Sequence, residues 1–489
     1  LPTIFAGINT ALKALMAQQS GMQTTAHNIA NANTPGYSRQ QALMAASVPF
    51  PMPGFNRPGG AGQIGTGVDI TLVRRIRDLF LDGQIRAESA AAGHWEIAQN
   101  TLAQVEVVFM EPSDSGLNSL MGRFWNSWQE LSKNAESTPV RTTVRETGIA
   151  LADAIRHTQH KLNNLKRDLD LTLENKVREI NTLARQIADL NMQIANITQS
   201  GHQPNDLQDQ RDLLLDRLAK LVPFSQVPYQ DAQGNHTGAI RVMLAGQDLV
   251  VWGQGTPRDQ QVRLLETVED NGRLLPRWSE LGGTAPLLNV PSGQVAGVLF
   301  SRDSLVQNYM DQLDVLARGL IEQINQVHSQ GFDLNGNPGR SFFTGTGAAD
   351  MAVNPSLAND VRLIAASAGG GPGDNGNSLQ IILLRSARMV VEDGAFTPAP
   401  GGVGGTTFDN FYKDFIAELG VAAHEARRMT ENQQVLVDQL QNRRDSISGV
   451  SLDEETARLI QFQRAYQAAA RVISTIDEML NTIVNGLRR

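Results

Sequence analysis

Toward the end of the chain, apolar side chains recur at steps of three and four without a break: Leu459, Phe462, Tyr466, Ala469, Ile473, Ile476, Leu480, Ile483 and Leu487. That spacing is the a/d seam of a coiled coil, a narrow apolar stripe on one helix face. Arg458, Gln461, Arg464, Gln467, Arg471, Asp477 and Asn481 fall between these positions and predict a solvated outer face. Ser451 with Glu454 behind it reads as a capping box, which starts the helix there. The same rhythm stands at the opposite end of the chain, in Phe5, Ile8, Leu12, Leu15, Gln19, Met22, Ala26 and Ile29. Two such seams predict that the first and last helices pair as a coiled coil. A pair with Ala, Gln and Tyr among its contacts is too thin to stand alone in water, so further helices must join it.

Between the ends the helical period dominates. Trp95, Leu102, Val105 and Phe109 share one face, and after a break at Pro112–Gly116 a second stripe runs through Leu117, Leu120, Phe124, Trp128 and Leu131. Thr138 with Pro139 marks the start of a tract with no further proline before Pro204. Its seam of Leu173, Val177, Ile180, Ala184, Ile187, Asn191 and Ile194 predicts a helix of about 90 Å at 1.5 Å per residue. Asn205 with Gln208 caps a shorter helix to Leu221. From Pro223 to about Pro291 the period falls to two, as in Ile240–Leu244, and a small β excursion is expected. Helix returns over 295–330, with Leu313, Leu316, Leu320, Ile324 and Val327 on one face, and again from Phe408. Residues 345–405, including Ser378–Leu384, read as a second β-rich insertion bracketed by glycine-rich loops at 369–376 and 398–405.

The expected fold is therefore mainly α with β insertions. Residues 1–45 with 446–489 form an inner terminal coiled-coil domain, and 46–84 an extended connector. Residues 85–222 with 295–330 and 408–445 form a helical-bundle shaft, 223–294 a small β excursion and 331–407 an outer β-rich insertion.

Composition narrows the chemistry. A net charge of −8 over 489 residues is too mild to argue for nucleic acid. With no cysteine, disulfides, thiolate metal sites and cysteine nucleophiles are excluded. The N-terminal stretch lacks a basic region and an alanine-type cleavage site, so no cleaved signal peptide is expected. Residues 14–38 carry no Asp, Glu, Lys or Arg, yet they are too rich in Gln, Asn, Ser and Thr for membrane insertion. Gly60-Ala-Gly62-Gln-Ile-Gly65 matches a dinucleotide fingerprint, but a proline-rich stretch precedes it and a strand-like stretch follows, the wrong order for phosphate at a helix start. Asp333-Leu-Asn335-Gly-Asn337 imitates the opening of a calcium loop, with Pro338 and Thr344 where Gly and Glu are required. His157 and His160 lie one turn apart without a third ligand nearby in sequence, and surface histidines are the better reading. No catalytic constellation, metal set or cofactor cradle remains, and an enzyme is not expected.

The stretch His27-Asn28-Ile-Ala-Asn31-Ala-Asn33-Thr34-Pro35-Gly36-Tyr37-Ser38-Arg39-Gln40 contains a Pro-Gly pair suited to a type II turn. It resembles the N-terminal signature of bacterial flagellar rod, hook and hook-associated proteins, and its ending Tyr-Ser-Arg-Gln is most similar to the hook-associated protein 1 family. Asn205–Asp212 and the C-terminal stretches Ser448–Glu455 and Gln463–Ala468 are similar to the same family. The resemblance implies a structural subunit at the hook–filament junction, secreted through the flagellar export apparatus. Its implied partners are copies of itself in a ring, hook protein, hook-associated protein 3, and a cytosolic export chaperone at the C-terminal helix. Another axial subunit of rod or hook is the alternative; the long helical middle argues against it. A secreted enzyme with a coiled-coil anchor is the third reading, with only the β insertions left to hold a site.

Overall fold

The computed structural model describes residues 4–50, 63–114, 116–231, 233–251, 261–279, 287–392, 394–399 and 404–486. Helix α1 (Ile4–Ala30) leads through a turn into an antiparallel hairpin of β1 (Gln40–Ala46) and β2 (Val68–Arg75). Then come α2 (Leu79–Phe109), α3 (Leu117–Lys133), α4 (Thr138–Gln199) and α5 (Asn205–Leu221). Asp78 caps α2, its carboxylate accepting from the N–H groups of Phe80 and Leu81. Helix α4 is a single 62-residue rod, about 90 Å long at 1.5 Å per residue. Its cap is Ser137, one residue earlier than the sequence suggests. Every position of its expected seam from Leu173 to Ile194 is buried.

Strands β3 (Ser225–Gln230), β4 (His236–Leu244) and β5 (Gln247–Val250) form one antiparallel sheet, and β6 (Leu265–Asp270) and β7 (Arg273–Trp278) a separate hairpin. Both rest on α4, held by asparagines of that helix. The Asn191 amide spans both backbone groups of Ile240, donating to its carbonyl at 2.8 Å and accepting its N–H at 3.2 Å. Asn181 does the same to Leu265 at 2.7 and 2.8 Å. A carboxamide carries a donor and an acceptor in the arrangement of a peptide group, so it satisfies a strand residue's backbone on the side that faces the helix instead of another strand.

The chain returns through α6 (Gly293–Phe300), a π-helical turn at Ser301–Val306 and α7 (Gln307–Gln330). Arg302, in the π turn, is buried and bonds Asp170, Asp303 and the Leu274 carbonyl. Beyond it lie β8 (Phe343–Thr344), β9 (Ala352–Val353), α8 (Pro355–Asn359), α9 (Gly376–Leu384), β10 (Met389–Glu392) and β11 (Ala395–Pro398). This stretch corrects the expected β-rich insertion. Ser378–Leu384 is helix, and its strands among the described residues are two short pairs. Nor is all of it peripheral: Phe342 and Phe343 are buried against Phe124, and Phe342 also meets Trp128. The glycine-rich loop before α9 closes on Asp374, whose carboxylate accepts from the N–H groups of Ala368, Gly369 and Gly376 and from Ser367. Helices α10 (Phe408–Ser448) and α11 (Leu452–Gly486) complete the chain, α10 packing along α2 and α11 along α1.

Candidate assembly interface

Helices α1 and α11 run antiparallel. A Cβ added at Gly7 would meet Ile476 at 3.2 Å, one at Gly21 would meet the Phe462 ring at 3.1 Å, and Asn28 bonds Glu455 at 2.9 Å. Each step along α1 is matched by an equal step back along α11, so all three contacts share one register. On α11 the side facing α1 is the seam expected from the sequence. Leu459, Phe462, Tyr466, Ile473, Ile476 and Leu480 are half-buried, Ile483 is 46 % exposed, and Leu487 lies outside the described residues.

On α1 the close contacts to α11 fall one position before the expected seam. Gly7, Ala14, Gly21 and Asn28 stand on the α11 side, one position before Ile8, Leu15, Met22 and Ile29. Ile8, Leu15, Met22 and Ile29 are only half-buried, and Phe5, Leu12 and Met16 are 66 %, 43 % and 58 % exposed. Large side chains of α11 meet small ones on α1, Ile476 against Gly7 and Phe462 against Gly21, which lets the two helices approach closely. Hydropathy alone does not mark the small residues that α11 meets.

The segment after α1 is pinned from several sides. Gly36 has φ +80° and the Tyr37 N–H donates to the Thr34 carbonyl at 3.2 Å, the geometry of a type II turn at Pro35-Gly36. Asn31 bonds back to the His27 carbonyl and accepts from Thr34, while Asn33, Thr34 and Pro35 are exposed. Asn28 clasps Gln40 as Asn191 clasps Ile240, and its oxygen also accepts from the Tyr37 hydroxyl at 2.7 Å. Burial, then the carboxylates of Asp206, Asp209 and Glu455, hold the Tyr37 phenol far above its ordinary pKa, so it stays a donor. Ser38 gives both its N–H and its hydroxyl to Asp209. The Gln40 side chain donates to Asp206 at 2.6 Å, and Arg39 pairs with Glu454 at 2.8 Å. Glu454 therefore does not close the expected capping box; only the Ser451 half is made, at 3.4 Å to the Glu454 N–H.

Behind this turn lies a buried charge cluster that sequence spacing did not reveal. Arg75 bonds Asp209 and Asp212 at 2.8 and 2.6 Å, and Arg77 bonds Asp82 at 2.6 Å. Arg86 reaches Asp212 and Asp216, and Arg444 reaches Asp216 at 2.8 Å. Burial alone would raise the Asp212 pKa, but Arg77, Arg75 and Arg86 outweigh it and hold the carboxyl below its ordinary value. Asp209, with fewer cations around it, is raised by burial. The cluster joins the hairpin, the start of α2, α5 and the end of α10 at the foot of the terminal pair. Asp82 comes from the first turn of α2; the other aspartates come from the Asn205–Asp212 motif and the turn beyond it, one helix face read in sequence only as a capped helix.

The other sequence candidates fall elsewhere. Asp333 accepts from the N–H groups of Asn335 and Asn337 and folds its loop into a polar turn. His157 and His160 line an open surface depression on α4. Gly60–Gly62 lie outside the described residues. Among the described residues, no group of three or more His, Asp and Glu side chains is placed to hold a metal ion.

Three stretches of the chain match known protein families. Residues 102–343 match the flagellar hook-associated protein FlgK helical domain family. Residues 8–37 match the flagella basal body rod protein family, and 441–486 the C-terminal family of flagellar basal body rod FlgEFG proteins. Flagellar hook-associated protein 1 of Bacillus subtilis is 34 % identical over 100 % of this chain and 99 % of its own length. The chain belongs to that family. Flagellar hook-associated protein 1 of Escherichia coli is 25 % identical over 98 % of the chain and 99 % of its own length. The solved flagellar hook junction protein FlgK from Burkholderia pseudomallei shares the fold, with a TM-score of 0.59 at 16 % identity, over 75 % of this chain and all of that one. As a hook-associated protein the chain is a structural component of the flagellum, exported to it and assembled with other axial components. No described helix is long and apolar enough to cross a membrane.

Proposed function

We propose that this chain is an axial subunit that polymerises through its terminal helices into a ring at the hook–filament junction, adapting hook to filament. The observation that supports this most is the unfinished burial of the terminal pair. Among the described residues of α11 only Glu455 is fully buried, while Phe5, Leu12 and Met16 on α1 and Val472, Met479 and Val484 on α11 remain about half exposed or more. Helices with apolar side chains on two faces are stable when neighbours cover the second one. In the family reading those neighbours are copies of the chain, with hook protein below and hook-associated protein 3 above. Capture of the C-terminal helix by a cytosolic chaperone before export completes the proposal. The shaft carries no catalytic role in it.

Immunogold labelling of purified flagella tests it. An epitope-tagged chain, expressed in cells lacking their own copy, should label a single band between hook and filament and restore filament growth. Label along the hook or rod would make the chain a different axial subunit, and label absent from the flagellum would overturn the proposal.

A further inference from the structure

We propose that Asn28 and Glu455 decide which face of α1 turns toward α11, and so keep the more apolar face outward for a second copy of this chain. The choice needs a cause. The half-buried stripe Ile8, Leu15, Met22 and Ile29 is offset by one residue from Gly7, Ala14, Gly21 and Asn28 and leads to the exposed Phe5, Leu12 and Met16. Turning α1 by about 100° would bring the larger apolar side chains inward. That rotation would bury more apolar surface in the free chain, and it would consume the surface on which neighbours are proposed to assemble.

Glu455 opposes it. Its side chain is 1 % exposed, and its oxygens accept from Asn28 at 2.9 Å and from Arg458 at 3.3 Å. After the rotation Ile29 would stand where Asn28 stands, and a buried carboxylate would lose a donor to a hydrocarbon, a costly loss in a site already stripped of water. Asn28 is fixed in turn by Gln40 and Tyr37, which belong to the pinned signature segment, so the preference is anchored outside the helix pair. Lys13 works in the same sense from the other flank, bonding Asp69 at 3.0 Å and Ser47 at 2.9 Å on the hairpin. It is the only Asp, Glu, Lys or Arg between Ile4 and Ala30. The outward face of α1 is thus apolar or neutral-polar throughout, suited to a second copy and unsuited to staying in water. That last step rests on the assembly reading; the selection of the face does not.

The chain has no cysteine, so introduced pairs report the face directly. Ala14 and Ala469 line one groove between the helices. In the free full-length chain, Ala14→Cys with Ala469→Cys should oxidise to a disulfide at least tenfold faster than Leu15→Cys with Ala469→Cys. Adding Asn28→Leu and Glu455→Leu together, which leaves no unpaired charge, should shift that ratio at least tenfold toward the Leu15 pair. Glu455→Gln, which keeps an acceptor for Asn28, should preserve the native ratio. The proposal fails if the native chain shows no preference or if the double leucine variant keeps it. It fails equally if both pairs lose cross-linking together, because the contact would then only stabilise. These readings are made on the unassembled chain; failure to label the junction would remove the proposed function and leave the face selection standing.

Discussion

Single side chains carry much of the specificity of this fold, and asparagine recurs among them. Asn28, Asn181, Asn191 and Asn325 each stand on a helix and bond both backbone groups of one extended residue: Gln40, Leu265, Ile240 and Phe343. Such a clasp takes the place of a strand on the helix-facing side of the residue, and it reads in sequence as an ordinary polar position. His328 is a second buried device. Its Nδ1–H donates to the Arg340 carbonyl, and Nε2 accepts the Ala365 N–H at 2.9 Å, which fixes the neutral form between the Trp128 and Phe342 rings. Burial pushes its pKa down to about 4. A depressed histidine pKa means that the unfolded chain takes up the proton first, so stability is complete above the unfolded value near 6.5 and falls as pH drops toward 4. Denaturant unfolding at pH 7 and 4.5 should show about 2–3 kcal/mol more acid loss in the native chain than in His328→Gln. Equal acid loss in both would refute the assignment. At Gly36 the positive φ excludes β-branched residues, and an added Cβ would meet Leu213 at 3.3 Å. Gly36→Val should cost at least about 1 kcal/mol and impair junction assembly, with the far-UV dichroism of the shaft retained. Junctions built normally by this variant would count against the turn's role.

Among the elements, α4 and α11 show two uses of one heptad rhythm. The seam of α4 is covered on all sides by α5, β4, β6 and the turn after α6 and is wholly buried. The α11 seam meets α1 alone among the major contacts and is half-buried. Period reveals a stripe; the number of partners decides its burial. Amides of residues 459–486 in the free chain should therefore exchange far faster than those of 173–194, and assembly should slow them. Strong protection of the α11 amides before assembly would show a pair already complete. Replacing Ile473 and Ile476 together by Asp should abolish incorporation into flagella. The melting temperature of the free chain should barely move, because neither residue touches the shaft core.

In the whole molecule, the charge cluster around Asp212 is where the terminal pair is fastened to the shaft. Breaking a buried, hydrogen-bonded charge set by removing one member leaves its partners uncompensated. Asp212→Ala strips Arg75, Arg77 and Arg86 of a shared carboxylate and should cost about 3–5 kcal/mol in denaturant unfolding. It should also free α1 and the hairpin from α5, seen as faster proteolysis near residues 40–75. A cost within experimental error would show that the joint is held by apolar packing.

Periodicity in the sequence alone determined the long central helix, the stripe on α11, the β excursion after Pro223 and the turn at Pro35-Gly36, because each depends on neighbours within a few turns of one element. Only the tertiary structure decided that α1 offers its small residues to α11, since that depends on which α11 residues stand opposite, some 450 residues away in sequence. It also decided that Ser378–Leu384 is helix: a short apolar run has no intrinsic period strong enough to choose, and α3 and α7 give it a helical seat. The charge cluster was hidden for the same reason, its arginines and aspartates lying on four separate elements. Local pattern is written residue by residue along the chain, whereas the choice of face is set by what stands opposite.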